Sequence, residues 1–413
     1  MNAEVIAIGT ELLLGFVLNT DTVFLGRALA GLGINCYYQV TVGDNPKRLA
    51  QTIRTALERS DLVITCGGLG PTVDDITLET LAEVADRPLI LDKTILGRME
   101  RRFTQLGIRM PKTNVRQAMI PQGAVVFPNP MGTAPGFLLE LKPNRLLVAL
   151  PGPPAELIPM VNRYLVPRLR RHAGKTIIRS KTLKVTGLTE SEVDIQVRDL
   201  LALKGQATVG IYAHPGQVDL RITAKAPSAP AADRRIAQVE GTIRRRLGNL
   251  IFGVDEESLE AAVGMVLKKR RLTLATAESC TGGLVGHRLT EVSGSSDYFL
   301  GGVVAYSNNL KTSLLSVPPD LLKKHGAVSS KVAAAMARGV CQRTGSTVGL
   351  AVTGIAGPTG GTARKPVGLV YIALKTPEGV KVVRHNLSGD RATVKFKASQ
   401  AALNTLRLYL LSK

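Results

Sequence analysis

The chain has 413 residues, 45% hydrophobic and 21% charged, with 53 Lys and Arg against 32 Asp and Glu. That length divides into roughly two to four domains, and the composition excludes a disordered or fibrous chain. Four cysteines stand far apart with no C-x-x-C pair, which argues against a disulfide framework or structural zinc and for a reducing compartment.

Met1-Asn2-Ala3-Glu4 leads into a short apolar segment, residues 5–8, without the basic start or longer apolar stretch of a signal peptide. No apolar run has the length of a bilayer span. A soluble, cytoplasmic protein without a membrane partner is expected. The net charge of +21 favours anionic partners. The basic residues come in short clusters (168–171, 244–246, 268–271) at expected helix ends, where cations complement the dipole. Aromatic residues make up only 4%, with no Trp, so a stacking platform for single strands is not evident and nucleic acid is not an expected partner.

Residues 5–8 read as a strand, 19–30 as a helix closed by Gly31-Leu32-Gly33, and 34–42 as a second strand. Asn45-Pro46 opens a helix with a cap residue followed by Pro. Residues 61–66 form a buried strand running into Gly67-Gly68-Leu69-Gly70-Pro71. This alternation predicts a mostly parallel sheet covered on both faces, an α/β domain over 1–170. A small α+β module over 175–252 follows. It has strands at 183–186, 207–212 and 218–226, a capping box at Thr189–Glu192 and a basic helix to Leu247. From residue 257 to 413 α/β alternation resumes. Helix 258–269, strand 272–276, a helix after Thr281-Gly282-Gly283, strand 301–306, a helix capped by Ser329, strand 348–352 and a helix over 392–411 are expected.

Ala277-Glu278-Ser279-Cys280-Thr281-Gly282-Gly283 falls at a strand-to-helix turn, which exposes a side chain at the carboxyl edge of a sheet beside outward-pointing helix amides. A Ser279 nucleophile there would have oxyanion donors at hand but needs a base. His287, His325 and Lys311, the last in Tyr306-Ser307-Asn308-Asn309-Leu310-Lys311, are the residues on offer. Lys311 serves only if desolvation or neighbouring cations strip its proton. The same turn would also serve as a plain phosphate cradle with Ser279 and Thr281 as donors. Cys280 is a rival nucleophile or a small buried residue. In the N-terminal half, Gly67, Gly68 and Gly70 let backbone approach a phosphate. Asp74 and Asp75 then either hold a divalent ion or complement a helix dipole.

The series AESCTGG, GSSDYFLGGVVAYSNNLK, HGAVS, AVTGIAGPTGG, KPVG and SGDR resembles the successive motifs of the nicotinamide mononucleotide deamidase family over 257–411. The resemblance implies a Ser–Lys mechanism with Ser279 as nucleophile, Lys311 as base, and Tyr306, Thr353 and Arg391 at other active-site positions. Thr281 and the turn amides would stabilise the oxyanion, Gly282 would lie against substrate, and Arg391 would engage the 5′-phosphate. No cofactor is implied for this domain. IAIGTELLLG, NTD, TCGGLGPTVDD, PKTNVRQAMIP, PNPMGTAPGF and LPGPPAEL resemble the N-terminal domain of the CinA (competence/damage-inducible) family, related to molybdopterin-binding domains. That implies metal-dependent ADP-ribose pyrophosphatase activity, with Thr10, Glu11, Gly67, Gly68, Gly70, Thr72 and Asn114 binding substrate. Asp74 and Asp75 would bind a divalent metal (Mg, Mn or Co). The alternative is a molybdopterin-binding module without hydrolase activity. The middle module resembles the family's KH-like domain, without a clear G-x-x-G loop for RNA. Small nucleotides are the implied partners, and a homodimer the implied assembly.

Overall fold

The computed structural model describes residues 1–172, 176–203, 205 and 207–412. Lys175, the expected start of the middle module, and Lys413 lie outside the described residues. The chain divides into two compact units, Met1–Arg179 with Ala224–Arg234, and Ser180–Thr223 with Arg235–Lys413. Among the described residues no helix is long and apolar enough to cross a membrane.

The first unit contains β1 (Asn2–Ile8), β2 (Asn35–Val42), β3 (Leu62–Cys66), β4 (Leu89–Leu91), β5 (Met119–Pro121), β6 (Val125–Phe127), β7 (Gly136–Lys142) and β8 (Arg145–Leu150). Six strands form one sheet in the order β2-β1-β3-β8-β7-β6, while β4 and β5 pair separately. The first four run parallel, and β7 is antiparallel to both its neighbours, β8 and β6. Alternation along β1 sends Val5 and Ala7 into one core with Leu25 and Leu29, and Ile6 and Ile8 into another with Leu49 and Ile53. Both faces are thereby covered, the expected mostly parallel arrangement. Because β1 lies between β2 and β3, the chain leaves it on both sides, and a crevice opens beyond the carboxyl ends of β1 and β3.

The middle module carries β9 (Ile177–Val185), β10 (Ala207–His214), β11 (Gln217–Ala226) and β12 (Ile251–Val254), in the order β10-β11-β9-β12. The capping box forms as read: the Thr189 hydroxyl accepts from the Glu192 amide while Glu192 accepts from the Thr189 amide. The first strand is longer than the expected 183–186, starting at Ile177.

In the C-terminal part β13 (Leu274–Glu278), β14 (Phe299–Val304), β15 (Val348–Gly354), β16 (Leu369–Thr376) and β17 (Gly379–Asn386) form a sheet ordered β14-β13-β15-β16-β17. The first three are parallel and the hairpin β16–β17 is antiparallel. Leu274 joins a core with helices Leu259–Arg270 and Arg391–Leu411, whereas Ala275 and Ala277 face helix Ser330–Thr344. The same topology recurs: β13 lies between β14 and β15, so the crevice opens where Ser279 follows β13. Two expected strands are displaced by two residues. Arg271 closes its helix in the left-handed region and the Leu272 amide still bonds to Leu267, so β13 starts at Leu274 instead of 272. β14 covers 299–304 instead of 301–306, because its pairing with β13 places Phe299 beside Leu274 and Val304 beside Glu278.

Candidate active sites

The turn after β13 is fixed by Glu278. Its buried carboxylate accepts from the amides of Gly283 (3.0 Å), Val285 (3.0 Å) and Gly286 (2.8 Å). It thus saturates the start of helix Leu284–Thr290. Gly282 and Gly283 both adopt positive φ, which lets the chain double back there without strain. This corrects one expectation: the helix-start amides do not face the site as oxyanion donors, because Glu278 consumes them. The Gly282 amide is also spent, on the Ser279 carbonyl. Outside these bonds stand the Cys280 and Thr281 amides and the Thr281 hydroxyl, the hydroxyl fully buried and without a partner.

Ser279 is 7% exposed and its amide is tied to the Val352 carbonyl of β15. Lys311 enters from helix Asn308–Leu315, whose cap, Ser307, accepts from the Leu310 amide. Lys311 is only 1% exposed, and its Nζ lies 3.0 Å from Ser279 Oγ, 2.7 Å from the Ala305 carbonyl and 3.0 Å from the Tyr306 carbonyl. No carboxylate bonds to it, and burial pushes its pKa below the ordinary lysine value. A neutral amine suits this cage: two N–H bonds go to the two carbonyls and the lone pair is left for the Ser279 proton.

The rival residues are less well placed. Burial pushes the Cys280 thiol up to about 12, so it is no thiolate nucleophile at neutral pH. His287 is exposed, with Glu291 as its neighbour. Neither His287 nor His325 bonds to Ser279 or Lys311. Arg391 donates to Tyr306 Oη (2.9 Å) and the Gly357 carbonyl (2.7 Å), joining three expected segments at the rim. Thr353 is buried and its hydroxyl donates to the Ala327 carbonyl (3.0 Å), so it anchors the HGAVS loop. Sequence reasoning missed Lys395, whose Nζ would lie 3.6 Å from a Cβ on Gly282. The signal was its spacing: Lys395 is one turn beyond Arg391, on the same helix face.

In the first unit a cavity of about 500 Å³ occupies the crevice beyond β1 and β3. Gly67, Gly68, Gly70 and Glu11 line it as expected. A Cβ on Gly67 would lie 2.3 Å from the Ile8 carbonyl, so only glycine fits. Four carboxylates (Glu11, Asp21, Asp75 and Glu156) line this cavity and no Lys or Arg does. Asp75 accepts from the Thr72 amide (2.8 Å) and hydroxyl, which sets the loop. Four expected residues stay off the wall. Asp74 and Thr72 are exposed on the loop; Thr10 is occupied by Asp44; and Asn114 donates to Gln117, which itself lines the cavity. Nor do Asp74 and Asp75 begin a helix, which starts only at Thr77. Asp21 was not singled out by sequence. One of its oxygens is buried without a partner, and burial raises its pKa to about 6. Among the described residues no three His, Cys, Asp or Glu side chains converge to hold a metal by themselves.

Three family models match consecutive parts of the chain: "Probable molybdopterin binding domain" over residues 4–171, "Damage-inducible protein CinA KH domain" over 180–253 and "CinA C-terminal domain" over 256–410. CinA-like proteins of Dictyoglomus thermophilum and Nostoc sp. are each 46% identical over the full length of both chains. The chain belongs to the CinA family. Its fold is the family's three-domain architecture, a molybdopterin-binding-like domain, a KH domain and the CinA C-terminal domain. A solved competence/damage inducible protein from Agrobacterium tumefaciens is 39% identical, spanning 37% of this chain and 93% of its own, with a TM-score of 0.36.

Proposed function

We propose that the C-terminal domain of this CinA protein hydrolyses the carboxamide of nicotinamide mononucleotide to the carboxylate and ammonia. The observation that carries this reading is the buried Lys311 amine 3.0 Å from Ser279 Oγ, with no carboxylate to keep it charged. Lys311 takes the Ser279 proton as Oγ attacks the carboxamide carbon, and the negative charge moves to the carboxamide oxygen beside the Thr281 hydroxyl. Lys311 returns the proton to the departing nitrogen, so the C–N bond breaks and ammonia leaves an acyl-serine. Water, deprotonated by the same amine, attacks the acyl carbon; the C–O bond to Ser279 breaks, the carboxylate leaves and Oγ regains its proton. Arg391 and Lys395 supply charge at the rim suited to a 5′-phosphate. The test is ammonia release from nicotinamide mononucleotide, with free nicotinamide as a comparison that lacks the phosphate. Turnover of neither would remove the reading.

For the N-terminal domain we infer divalent-ion-dependent hydrolysis of a nucleoside diphosphate sugar such as ADP-ribose. An acidic cavity in a chain of net charge +21 repels a pyrophosphate unless a cation enters with it. The residues fit such an ion. Magnesium-like cations are commonly held by one or two carboxylates, with waters and substrate phosphates completing the shell. Asp75 and Glu11 are suited to hold it, while the glycine turn takes phosphate oxygens. The ion would supply Lewis-acid activation of the phosphoryl group. The match to a molybdopterin binding domain model favours a second reading, pterin-phosphate binding without cleavage. ADP-ribose incubated with manganese separates the two, since only the first reading yields AMP and ribose phosphate.

A further inference from the structure

A second large cavity, about 850 Å³, lies in the second unit between the middle module and the β17 edge of the C-terminal sheet. Its volume is within the range of small-molecule sites, which are mostly apolar with a few placed polar groups. Here Leu250, Leu374, Val383 and Leu408 supply apolar wall.

The polar groups are unusual in being unsatisfied. Gln400 is 2% exposed and lines the cavity. Its Oε1 accepts from Arg288 Nη2 at 2.7 Å. A guanidinium has only donors, so the amide cannot be reversed. That leaves the Gln400 NH₂ donor buried without a partner. His385 Nε2, on β17, is likewise buried and unpartnered. An unpaired buried polar atom costs about 1–3 kcal/mol; both atoms are closed to water as the side chains stand, so a ligand restores the missing bonds by drawing the Gln400 and His385 side chains toward the cavity they line.

A cation stands on the same helix face as Gln400. Lys397 precedes Gln400 by three residues on the same helix, so the two share a face. Its ammonium donates to the Ser388 carbonyl (2.8 Å) and hydroxyl (3.4 Å), neutral acceptors that leave the charge uncompensated. Lys381 also lines the cavity. Glu190 and Glu192 come from the middle module, and Glu192 is committed to the Thr189 amide and hydroxyl.

We propose that this cavity binds a small organic carboxylate. Its apolar body packs on Leu250, Leu374 and Leu408, and its carboxylate accepts from Gln400 and Lys397. Gln400 reaches, through Arg288, the helix that follows the Ser279 turn.

Benzoate is the probe, with benzyl alcohol as its uncharged counterpart, titrated against the full chain by saturation-transfer NMR. Benzoate should bind saturably and about tenfold tighter than benzyl alcohol, the ~1.4 kcal/mol of one charge-assisted contact. Lys397→Met should erase that preference. Leu408→Trp, at a position 39% exposed and so tolerant of bulk, should fill the cavity and abolish binding of both. Gln400→Leu also strips Arg288 of an acceptor, so the first two variants carry the test. Absence of saturable benzoate binding would overturn the proposal. So would binding unchanged in both variants, which would place benzoate elsewhere on the chain.

Discussion

Replacing Lys311 by Met separates its chemical role from its structural one. Met keeps an unbranched apolar stem of similar reach but has no amine. Loss of a general base removes about 10²–10⁴ in rate, or ~3–5 kcal/mol of transition-state stabilisation. The effect on stability should be far smaller. Two carbonyls, those of Ala305 and Tyr306, lose a donor worth about 1 kcal/mol each. Against that, the variant escapes the desolvation that depresses the Lys311 pKa. Net stability near pH 7 should therefore change by about 1 kcal/mol or less. The two proteins should diverge with pH in a fixed direction. The folded pKa of Lys311 lies below its unfolded value of about 10.4, so between the two the unfolded chain binds one more proton. Wild-type stability relative to the variant thus rises as pH climbs through the folded pKa toward about 10.4, and levels off below that window. Urea unfolding at neutral and alkaline pH, alongside ammonia release, reads both effects. Deamidation within tenfold of wild type in Lys311→Met, or a relative stability that falls with rising pH, would refute the reasoning.

Three further outcomes follow from side chains at the two crevices. Lys395→Ala should raise the KM for nicotinamide mononucleotide about tenfold or more, at nearly unchanged kcat, if its charge meets the phosphate. An equal loss in kcat alone would assign Lys395 to the chemistry instead. Asp75→Asn should remove divalent-ion-dependent cleavage of ADP-ribose while Asp74→Asn leaves it largely intact, because only Asp75 lines the cavity; equal losses would contradict this placement. Asp21→Asn should stabilise the protein at pH 7 by about 1–2 kcal/mol after allowance for partial solvent access. The folded carboxyl titrates near 6 against 3.8 for its ordinary value, so wild-type stability falls as pH rises through that window. The advantage of the variant, followed by thermal melts from pH 3 to 8, should vanish below about pH 4.

Local signals carried much of the fold. Asn45 caps the helix Pro46–Arg59 through the Arg48 amide, Ser329 caps Ser330–Thr344, and Gly345 ends that helix in the left-handed conformation. Each follows from side-chain chemistry within a few residues. The glycine turns at both switch points were legible for the same reason. Strand ends were not, because β13 and β14 take their limits from pairing with each other, a non-local constraint. The antiparallel hairpin β16–β17 lacks a helix between its strands and so broke the alternation that guided the reading. At the candidate active site, Ser279 and Lys311 were singled out through their motifs, but which base the turn would use was open from spacing alone. Burial beside Ser279 sets Lys311 apart from His287, and that burial depends on how helix Asn308–Leu315 packs against helix Ser330–Thr344. The same holds for the oxyanion donors. Glu278 stood in the motif, but only the folded turn places its carboxylate on three amides. Asp21 and Gln117 lie in the segments NTD and PKTNVRQAMIP, but only the fold shows that these two side chains line the N-terminal cavity.

The claim that Ser279 is the nucleophile is tested most directly by acid-quenching the enzyme during turnover of nicotinamide mononucleotide and mass-analysing its peptides. The account predicts that the peptide bearing Ser279 carries the substrate minus ammonia, and that the adduct is lost in Ser279→Ala together with ammonia release. Sustained ammonia release by Ser279→Ala, or an adduct on Cys280 in its place, would contradict it.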